Sequence, residues 1–478
     1  MKINLVIFLW MTASICQSVE LDLLKQSIVE INNQKVERDF VYPWQLWQNS
    51  SSSGSGVIIS GNKILTAAHV IDYAEEISLR KPGSDQLYEG KVLYVSDGSD
   101  LAIIVPEDLS FFDGTIPVKL GELPGLGDEI TTLGFPSGGT QLALTKGIVS
   151  RIDFDEYSHS ESNNLVIQID AAVNPGASGG GAFIDGDLAG VPFQGFSGSS
   201  VENVGYIVPT PVIQQFLEDI KDGKVDGVPA LGISVQSMHN EQLRDFYKMP
   251  DNSTGLLVLG SVMDSLESDT AIIKDDVILK IDGELIGNDG TVSFISGDRI
   301  NLGALVKFKQ IGEVINVEVL RDGKQKSFPI QLQHQNVDTG PVISHTVGFL
   351  PDYEIVGGMI FQELSNDYID FSFDRDDVPA WMQIAQDELH KSSNKRRYVF
   401  VSGILPDQIN RSYDIFEDEP VVRVNGEDID SLATLRNLIE NNQENFHVIE
   451  FSGHEKKVVF DKDALTLSNE TIKQRYEF

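Results

Sequence analysis

The run Asp170-Ala-Ala-Val-Asn-Pro-Gly-Ala-Ser-Gly-Gly-Gly181 constrains this chain more than any other stretch. Pro175 and Gly176 force a turn, and the glycines after Ser178 permit backbone conformations that a Cβ would obstruct. Such a turn can expose the Ser178 hydroxyl and aim the N–H groups of Gly176 and Ser178 at one point. Acyl transfer requires such a nucleophile with paired donors. Taken alone, however, the run favours a Gly/Ser surface loop.

Two other stretches favour a catalytic role for this run over a surface loop. Residues 56–69 predict a β-hairpin with Gly61-Asn62 at its turn and His69 just past the second strand. Residues 96–105 place Asp100 at the mouth of a buried apolar strand. The histidine can deprotonate the serine, and the aspartate can fix the imidazole tautomer. The order His, Asp, Ser is that of the chymotrypsin-type arrangement.

The same run also satisfies the Gly-x-Ser-x-Gly pattern of α/β-hydrolases over residues 176–180. That fold requires a helix directly after the serine, with the Asp and His later in the chain. Here residues 182–191 predict a second hairpin with Asp185-Gly186 at its turn. The α/β-hydrolase interpretation therefore fails on both counts.

The segments Leu65-Thr-Ala-Ala-His69, Asp100-Leu-Ala102 and residues 170–180 together resemble the HtrA/Deg family of PDZ-bearing serine proteases. The run from Glu202 to Phe216 resembles the branch whose second PDZ domain is divergent. The resemblance implies two six-stranded barrels with the active site between them, no cofactor, and assembly into a homo-trimer or hexamer. It also implies a triad of His69, Asp100 and Ser178, with Gly176 and Ser178 forming the oxyanion hole.

Chain length and net charge indicate the number of domains and the kinds of partner to expect. A chain of 478 residues suggests about three domains. Acidic residues outnumber basic ones by 72 to 36, which gives a formal net charge of −36. A surface of this kind repels phosphate backbones and anionic headgroups, so nucleic acid is excluded as an expected partner.

The first 18 residues predict a secretory signal peptide. Lys2 precedes an apolar run that extends to about Ile15, and small residues follow it. The run is too short for a spanning helix, so the mature chain is expected to contain no integral membrane segment. Cleavage after Cys16 or Ser18 would remove the only cysteine, which excludes structural disulfides. These features favour the bacterial periplasm, with an extracellular destination as the alternative.

The fold class expected is mainly β: a chymotrypsin-like double barrel followed by two PDZ-like α+β domains. Many short strands with turn signals up to about residue 209 predict the barrels, and an amphipathic pattern over 211–221 predicts a closing helix. The expected divisions are a signal peptide at 1–18, a protease domain at 19–221, a PDZ domain at 228–335 and a divergent second PDZ-like domain at 340–478.

Ala172, six residues before the nucleophile, corresponds to the floor of the primary specificity pocket in the chymotrypsin-like pattern. It carries no charge for Lys or Arg, and the family resemblance implies cleavage after small aliphatic residues. The chain departs from the family at Ala177, which is usually Asn, and at Gly181, which is usually Pro. Both departures could loosen the turn, so an activity that requires ordering of this loop is predicted.

In the first PDZ domain, Leu231, Gly232 and Ile233 predict a tight glycine turn before an edge strand, which can bind a peptide's C-terminal carboxylate. The last domain shows no clear turn of that kind, which favours a structural or oligomer-forming role. His159 lies in a polar stretch that resembles the family's regulatory loop. The other histidines lack paired metal-ligand spacing, so no metal site is predicted.

The hypothesis is an exported, ATP-independent serine endopeptidase that degrades unfolded or damaged proteins and binds their C-terminal peptides. Two alternatives remain open at this point. One is a PDZ-based chaperone or peptide-binding scaffold with a latent protease site. The other is a narrow-specificity regulatory protease.

Overall fold

The structure is a computed structural model, and it describes residues 21–136, 141–157, 162–198, 201–261, 271–334, 341–344, 348–388, 396–453 and 455–476. The signal peptide predicted at 1–18 and the loop around His159 lie outside these residues. None of the helices in the described ranges is long and apolar enough to cross a membrane.

The first barrel is a closed sheet of six strands with the order β1-β2-β3-β6-β5-β4. The strands are β1 (Ile28–Arg38), β2 (Leu46–Ile59), β3 (Lys63–Ala67), β4 (Ala74–Arg80), β5 (Leu87–Ser96) and β6 (Leu101–Pro106). Single turns of 3-10 helix follow at Ala68–Ile71, Asp97–Ser99 and Leu109–Phe112. The polar, Ser-rich tract before residue 56 belongs to β2, because β1 pairs with it along its length.

The second barrel is also closed, with the order β10-β11-β12-β9-β8-β7. Its strands are β7 (Glu129–Gly134), β8 (Ala143–Glu156), β9 (Asn163–Ile169), β10 (Gly181–Ile184), β11 (Asp187–Gly198) and β12 (Val201–Pro209). The predicted hairpin after the serine is present as β10 and β11, which pair through Ile184 and Asp187. The closing helix α1 (Thr210–Asp219) buries Val212, Ile213 and Phe216 and continues into a 3-10 turn at Ile220–Asp222.

The next domain is built on a sheet whose strands follow the order β14-β15-β16-β20-β21. The strands are β13 (Pro229–Ala230), β14 (Ile233–Ser237), β15 (Leu256–Ser261), β16 (Val277–Ile281), β17 (Glu284–Leu285), β18 (Thr291–Ser293), β19 (Arg299–Asn301), β20 (Val314–Arg321), β21 (Lys324–Gln331) and β22 (Gln333–His334). The helices are α2 (Glu241–Phe246) and α3 (Ala304–Lys307), with a 3-10 turn at Ile295–Gly297. β14 lies at the edge of this sheet, as predicted.

The C-terminal domain contains two sheets, β23-β24-β25 and β27-β26-β28-β29. The strands are β23 (Tyr353–Val356), β24 (Met359–Glu363), β25 (Val399–Ile404), β26 (Val421–Val424), β27 (Glu427–Asp428), β28 (Phe446–Phe451) and β29 (Lys457–Asp461). The helices are α4 (Asn366–Ser372), α5 (Ala380–Glu388), α6 (Leu432–Glu440) and α7 (Lys462–Tyr476), with a 3-10 turn at Asp414–Phe416. α5 lies in the connection between β24 and β25.

The C-terminal domain contains a glycine turn that the sequence analysis did not single out. Gly357 and Gly358 both have positive φ values, 60° and 83°, and form a glycine turn directly before β24. The strand after this turn is not an edge strand, because β23 pairs with it on one side and β25 on the other. This turn therefore differs from the glycine turn before an edge strand that was predicted at Leu231-Gly232-Ile233.

The hydrophobic cores connect the domains. One cluster of buried side chains runs continuously from the two barrels into the domain that follows α1. The C-terminal domain has its own core, which includes Phe361, Phe416 and Phe451. A third cluster joins this domain to Phe40, which lies between β1 and β2. The fold class is therefore as predicted: mainly β, with a double barrel followed by α+β domains.

Candidate active site

His69 lies on the single helical turn Ala68–Ile71 that directly follows β3. The position of this turn follows from strand pairing, because Ala67 at the end of β3 pairs with Leu101 at the start of β6. The amide of Ala68 donates to the carbonyl of Asp100 at 3.0 Å. Residues 31 positions apart in the sequence are thus neighbours at one end of the first barrel.

Asp100 precedes β6 in a left-handed conformation with a φ of 49°. Its carboxylate is 2% exposed and makes two contacts with the same residue. Oδ1 accepts from the backbone N–H of His69 at 2.9 Å, and Oδ2 lies 2.8 Å from His69 Nδ1. One carboxylate therefore orients both the main chain and the ring of the histidine. This geometry places the Nδ1 proton toward Asp100 and leaves Nε2 as the basic nitrogen.

Ser178 follows a tight turn made by residues 174–177. Ala177 N–H donates to the carbonyl of Asn174 at 2.9 Å, and Gly176 has a φ of 89°. A type II turn requires a positive φ at its third position, which glycine supplies here, and proline is common at its second. The Ser178 hydroxyl donates to the carbonyl of Phe193 at 3.4 Å, which is a long contact. The turn predicted from Pro175 and Gly176 is therefore present.

Ser55 on β2 connects this turn to the first barrel. Its hydroxyl donates to the carbonyl of Gly176 and accepts from the amide of Phe135, both at 2.8 Å. Its own amide donates to the carbonyl of Ser178 at 2.8 Å. Ser55 is fully buried. It thus holds the serine turn at two points and joins it to Phe135 after β7. Sequence reasoning missed Ser55 because nothing local distinguishes it from the other serines of the tract.

The seam between the barrels brings the serine turn close to the histidine helix. Thr66, three residues before His69, donates its hydroxyl to the carbonyl of Ser55 at 2.7 Å. A Cβ at Gly179 would lie 2.2 Å from the Thr66 hydroxyl and 3.1 Å from the amide of Ala67. Only glycine can bring the backbone this close. The structure therefore assembles the regions of His69, Asp100 and Ser178 at one place between the barrels.

The backbone donors around Ser178 fall into two groups. The amides of Ala177, Gly179 and Gly180 donate to carbonyls of Asn174, Pro192 and Ala177, respectively. In the part of the chain that the structure describes, the amides of Gly176 and Ser178 have no protein acceptor. These two amides are the donors predicted for an oxyanion hole, and that role remains a prediction.

The two residues at which the chain departs from the family pattern, Ala177 and Gly181, are both closely packed. A Cβ at Gly181 would lie 2.3 Å from the ring of Phe183, which is 2% exposed and belongs to the central core. A Cβ at Gly134 would lie 2.9 Å from Cα of Ala177. The ring of Phe183 therefore fills the space beside position 181, and the backbone at 177 lies against β7. Neither departure replaces a residue of the predicted triad or oxyanion hole.

Ala172, predicted as the floor of a specificity pocket, is partly buried between β9 and the turn. Its carbonyl accepts a hydrogen bond from the Thr145 hydroxyl at 2.9 Å. Gly147 on β8 lies against the two residues before Ala172, since a Cβ at Gly147 would meet Asp170 and Ala171. Contacts with β8 therefore hold the backbone of Ala172. The side chain of Ala172 is a methyl group and carries no charge.

Tyr157, which sequence reasoning also missed, lies beneath the site. It is fully buried, packs its ring against Phe193 with centroids 4.6 Å apart, and donates its hydroxyl to the carbonyl of Leu165. Burial, and then the negative charge of Asp100, raise the pKa of Tyr157 well above its usual range. It stays a neutral donor beside the carboxylate. Its position could not be read from sequence because it depends on how β8 and β9 close the second barrel.

In the following domain, the predicted peptide-binding residues lie together at the start of the edge strand. Gly232 has a positive φ of 58°, and β14 begins at Ile233. Leu231 is 9% exposed. β14 pairs with β15 on one side only within the described residues, so its other edge presents main-chain groups.

The remaining histidines do not form a second site in the described parts of the chain. His447 is buried, and burial lowers its pKa; its Nδ1 lies 3.2 Å from the amide nitrogen of Asn442. His239 is exposed. No three His, Cys, Asp or Glu side chains in the described ranges are grouped as a metal site would need.

Family models match two parts of the chain. One described as a trypsin-like peptidase domain matches residues 54–191, and one described as a PDZ domain matches residues 342–478. The first match contains His69, Asp100 and Ser178.

Similar proteins extend over most of the chain. Protease Do-like 4, mitochondrial, of Arabidopsis thaliana is 36% identical over 426 residues, which cover 88% of this chain and 78% of that protein. Protease Do-like 2, chloroplastic, of the same plant is 34% identical over 427 residues, covering 89% and 69%. A solved structure described as the HtrA-type protease AlgW with tripeptide has a TM-score of 0.52 at 24% identity, covering 66% of this chain and 95% of that one. This structural likeness shows a shared fold.

Proposed function

The chain belongs to the Do-like (DegP/HtrA) family of trypsin-like serine proteases that carry PDZ domains, and we propose that it is an ATP-independent endopeptidase that degrades unfolded or damaged proteins. The observation that carries the proposed mechanism is the double contact of the Asp100 carboxylate with the amide and imidazole of His69. That arrangement prepares a general base next to a turn that exposes a serine.

In the proposed mechanism, Ser178 Oγ attacks the carbonyl carbon of the scissile peptide bond. His69 Nε2 takes the hydroxyl proton as the C–O bond forms, and the imidazolium is stabilised by Asp100. His69 then gives the proton to the leaving amine as the C–N bond breaks, which leaves an acyl-enzyme. Water, deprotonated by the same imidazole, then attacks the ester carbonyl. As the C–O bond to Ser178 breaks, His69 returns the proton to Ser178 Oγ and the carboxylic acid product leaves.

The amides of Gly176 and Ser178 would stabilise the oxyanion of each tetrahedral intermediate. Their proposed role is supported by the type II turn, in which the intervening amide of Ala177 is committed to Asn174. Paired backbone donors of this kind contribute about 10²–10³ each to the rate of acyl transfer. The hydrogen bond from Ser55 to the Gly176 carbonyl favours the same conformation of the turn.

The proposed substrate preference is for small aliphatic residues before the scissile bond, since Ala172 offers an uncharged surface. A pocket of this type separates side chains that differ by one methylene by only about 1–3 kcal/mol. Such loose selectivity suits degradation of unfolded chains. In the domain predicted as the first PDZ domain, at 228–335, the turn at Leu231-Gly232-Ile233 and the edge of β14 are proposed to bind C-terminal peptides of substrates by strand addition.

We propose that residues 1–18 direct export, with the bacterial periplasm as the destination that the chain's own features favour. The relatives described as mitochondrial and chloroplastic point to organelles as the competing destination. N-terminal sequencing of the mature protein from fractionated cells decides between them. The family resemblance supports a homo-trimer or hexamer, which light scattering of the purified enzyme tests.

The decisive experiment is labelling of the purified protein with a fluorophosphonate, followed by a casein degradation assay. Wild-type protein should be labelled on Ser178 and should degrade casein without ATP, and Ser178→Ala should do neither. Equal degradation by both proteins would overturn the mechanism. If wild-type protein captures C-terminal peptides but never reacts with the label, the scaffold alternative is correct.

Sequencing of the casein fragments tests specificity separately. Many cleavage sites after Val, Ala or Ile are expected for a quality-control enzyme. A single cleavage site in casein, or none despite rapid labelling, would favour the narrow regulatory protease.

A further inference from the structure

We propose that the C-terminal domain positions His69 for catalysis by holding the two residues that follow its helix, Asp72 and Tyr73, which we term the corner. The inference rests on the triad proposed above and concerns its regulation. Asp72 and Tyr73 are positioning residues in this proposal, because they act through His69 and touch no substrate.

The corner has an unusual backbone. Tyr73 adopts a left-handed conformation with a φ of 50°, which is uncommon for a bulky residue and persists only where the surroundings impose it. The helix before the corner, Ala68–Ile71, is a single turn. A helix this short is not stable by itself, so its orientation depends on contacts with the rest of the protein. Strain of this kind, three to four residues from a catalytic histidine, is an observation that points to function.

The first barrel supplies one set of contacts to the corner. The buried side chain of Asn33 on β1 donates to the carbonyls of Val70 at 3.1 Å and Asp72 at 3.0 Å. The amide of Val36, also on β1, donates to the carbonyl of Tyr73 at 3.1 Å. Movement of β1 is therefore transmitted to the backbone that carries His69.

The C-terminal domain supplies the other contacts to the corner, and these involve the side chains of Asp72 and Tyr73. The amide of Gly348 donates to Asp72 Oδ1 at 3.1 Å. The Tyr73 hydroxyl donates to Oδ1 of Asp367 on α4 at 3.4 Å. The Tyr73 ring packs against the apolar cluster that includes Tyr368 and Phe400. Burial and the charge of Asp367 raise the pKa of Tyr73, so its hydroxyl remains a donor.

The same domain also holds the far end of β1. The loop 39–45 between β1 and β2 inserts Phe40, which is 5% exposed, beside the ring of Phe371 with centroids 5.6 Å apart. Gln362 donates to the carbonyl of Phe40 at 2.8 Å, and the Ser402 hydroxyl donates to that of Val41 at 3.2 Å. The C-terminal domain thus constrains the histidine helix twice, directly at the corner and indirectly through β1.

The consequence concerns the contacts between His69 and Asp100. Rotation of a one-turn helix would lengthen both of them at once, because backbone and ring face the same carboxylate. A misplacement of about 1 Å at a catalytic group can reduce the rate by roughly 10²-fold. Docking of the C-terminal domain would then set the fraction of molecules with a working triad, which gives this domain a role other than peptide capture.

The test uses the full chain and four variants at the corner. Tyr73→Ala removes the contacts with Asp367 and the apolar cluster. Asp72→Ala removes the contact with Gly348 together with the local hydrogen bond from the amide of Tyr73, so Tyr73→Ala is the more specific of the two. Tyr73→Phe keeps the ring, and Asp72→Asn keeps the acceptor for Gly348. Tyr413→Ala is the matched control, because it removes a partly buried ring from the core of the C-terminal domain, against Phe460, without touching the corner.

Three quantities are measured: the fluorophosphonate labelling rate of Ser178, kcat and KM on a short peptide, and hydrogen exchange of the Ala68 and His69 amides. Tyr73→Ala and Asp72→Ala should slow labelling and lower kcat by roughly 10- to 100-fold with KM little changed, and should speed exchange of these amides. Tyr73→Phe, Asp72→Asn and the control should stay within about threefold of wild type.

Wild-type labelling rates in folded Tyr73→Ala and Asp72→Ala would overturn the inference while leaving the triad intact. Absence of labelling in the wild type would instead overturn the proposed function. If the alanine variants do not fold, the double substitution Gln362→Ala and Ser402→Ala serves in their place. It removes the two polar contacts to the loop 39–45, together with the hydrogen bonds of the Ser402 hydroxyl to Gln362 and to the carbonyl of Ile360. Unchanged labelling and exchange in that variant would also overturn the inference.

Discussion

The hydroxyl of Ser55 donates to the carbonyl of Gly176 at 2.8 Å and thereby ties a strand of the first barrel to the turn that presents Ser178 from the second. The same hydroxyl accepts from the amide of Phe135. A serine can satisfy both groups because its hydroxyl is donor and acceptor at once. The two barrels are therefore joined by a polar contact at the place where the proposed chemistry occurs.

Ser55→Ala should lower kcat on a peptide substrate by about 10- to 100-fold. The substitution leaves a buried carbonyl and a buried amide without their partner, at a cost of about 1–3 kcal/mol for each group, and the turn can relieve this by rotating. Steady-state kinetics of folded protein measure the effect. Ser51→Ala, at an exposed position on the same strand, is the control and should behave as wild type. Unchanged kcat in Ser55→Ala would show that the turn is held by its other contacts.

Asp100→Asn should lower kcat by about 10⁴-fold, the loss that this change causes in a triad of this kind. The amide can still accept from the backbone of His69, but its NH₂ group would then face Nδ1 and impose the wrong tautomer. Peptide hydrolysis by the purified variant measures the loss. Asp113→Asn makes the same charge change at an exposed position and should leave the rate unaltered. A loss below tenfold would contradict the assigned role of Asp100.

Gly181→Ala should destabilise the protease domain by about 1–3 kcal/mol, because the new methyl group would overlap the ring of Phe183. Thermal or urea unfolding of the full chain measures the change. Gly260 offers a matched control on another strand, since a Cβ there would meet nothing within 4 Å. Equal stability of the two variants would mean that Phe183 can shift without cost.

Lys307 predicts a pH dependence of stability. It is 9% exposed, and its burial lowers its pKa from 10.5 to about 8. Between these two values the unfolded chain binds the proton and the folded chain does not, so this residue makes stability rise as the pH increases from about 8 to 10.5. The full effect is about 3 kcal/mol at most.

Lys307→Met should remove that rise and increase the stability measured at pH 7 by urea unfolding. Lys309→Met is the control, because Lys309 pairs with Asp282 at 3.0 Å and should not stabilise the protein when replaced. A slope between pH 8 and 10.5 that is identical in wild type and Lys307→Met would contradict the assignment.

Local sequence was informative wherever a short segment carries its own conformational requirement. The Pro-Gly pair before Ser178 predicted the turn that the structure contains. The apolar strand after Asp100 and the hairpin before His69 were predicted for the same reason. In each case the signal is the alternation or the backbone restriction of neighbouring residues, which acts before any distant contact forms.

Other features depend on partners far along the chain. Ser55 is one of several serines in a polar tract, and only the closure of two barrels gives its hydroxyl the carbonyl of Gly176. The glycine turn before β24 is a local property, but the pairing of β23 that covers the strand is not. The insertion of Phe40 into the C-terminal domain joins residues more than 300 positions apart.

The sequence by itself determined the candidate triad, the turn that presents the serine and the succession of barrels and PDZ-like domains. The turn follows from residue types and backbone preferences that operate over a few neighbours, whereas the triad and the succession of domains were implied by the resemblance of short motifs to the HtrA/Deg family. Only the tertiary structure decided which groups hold that turn and how the C-terminal domain reaches the corner after His69. Those contacts join distant segments, and their geometry exists only once the chain has folded.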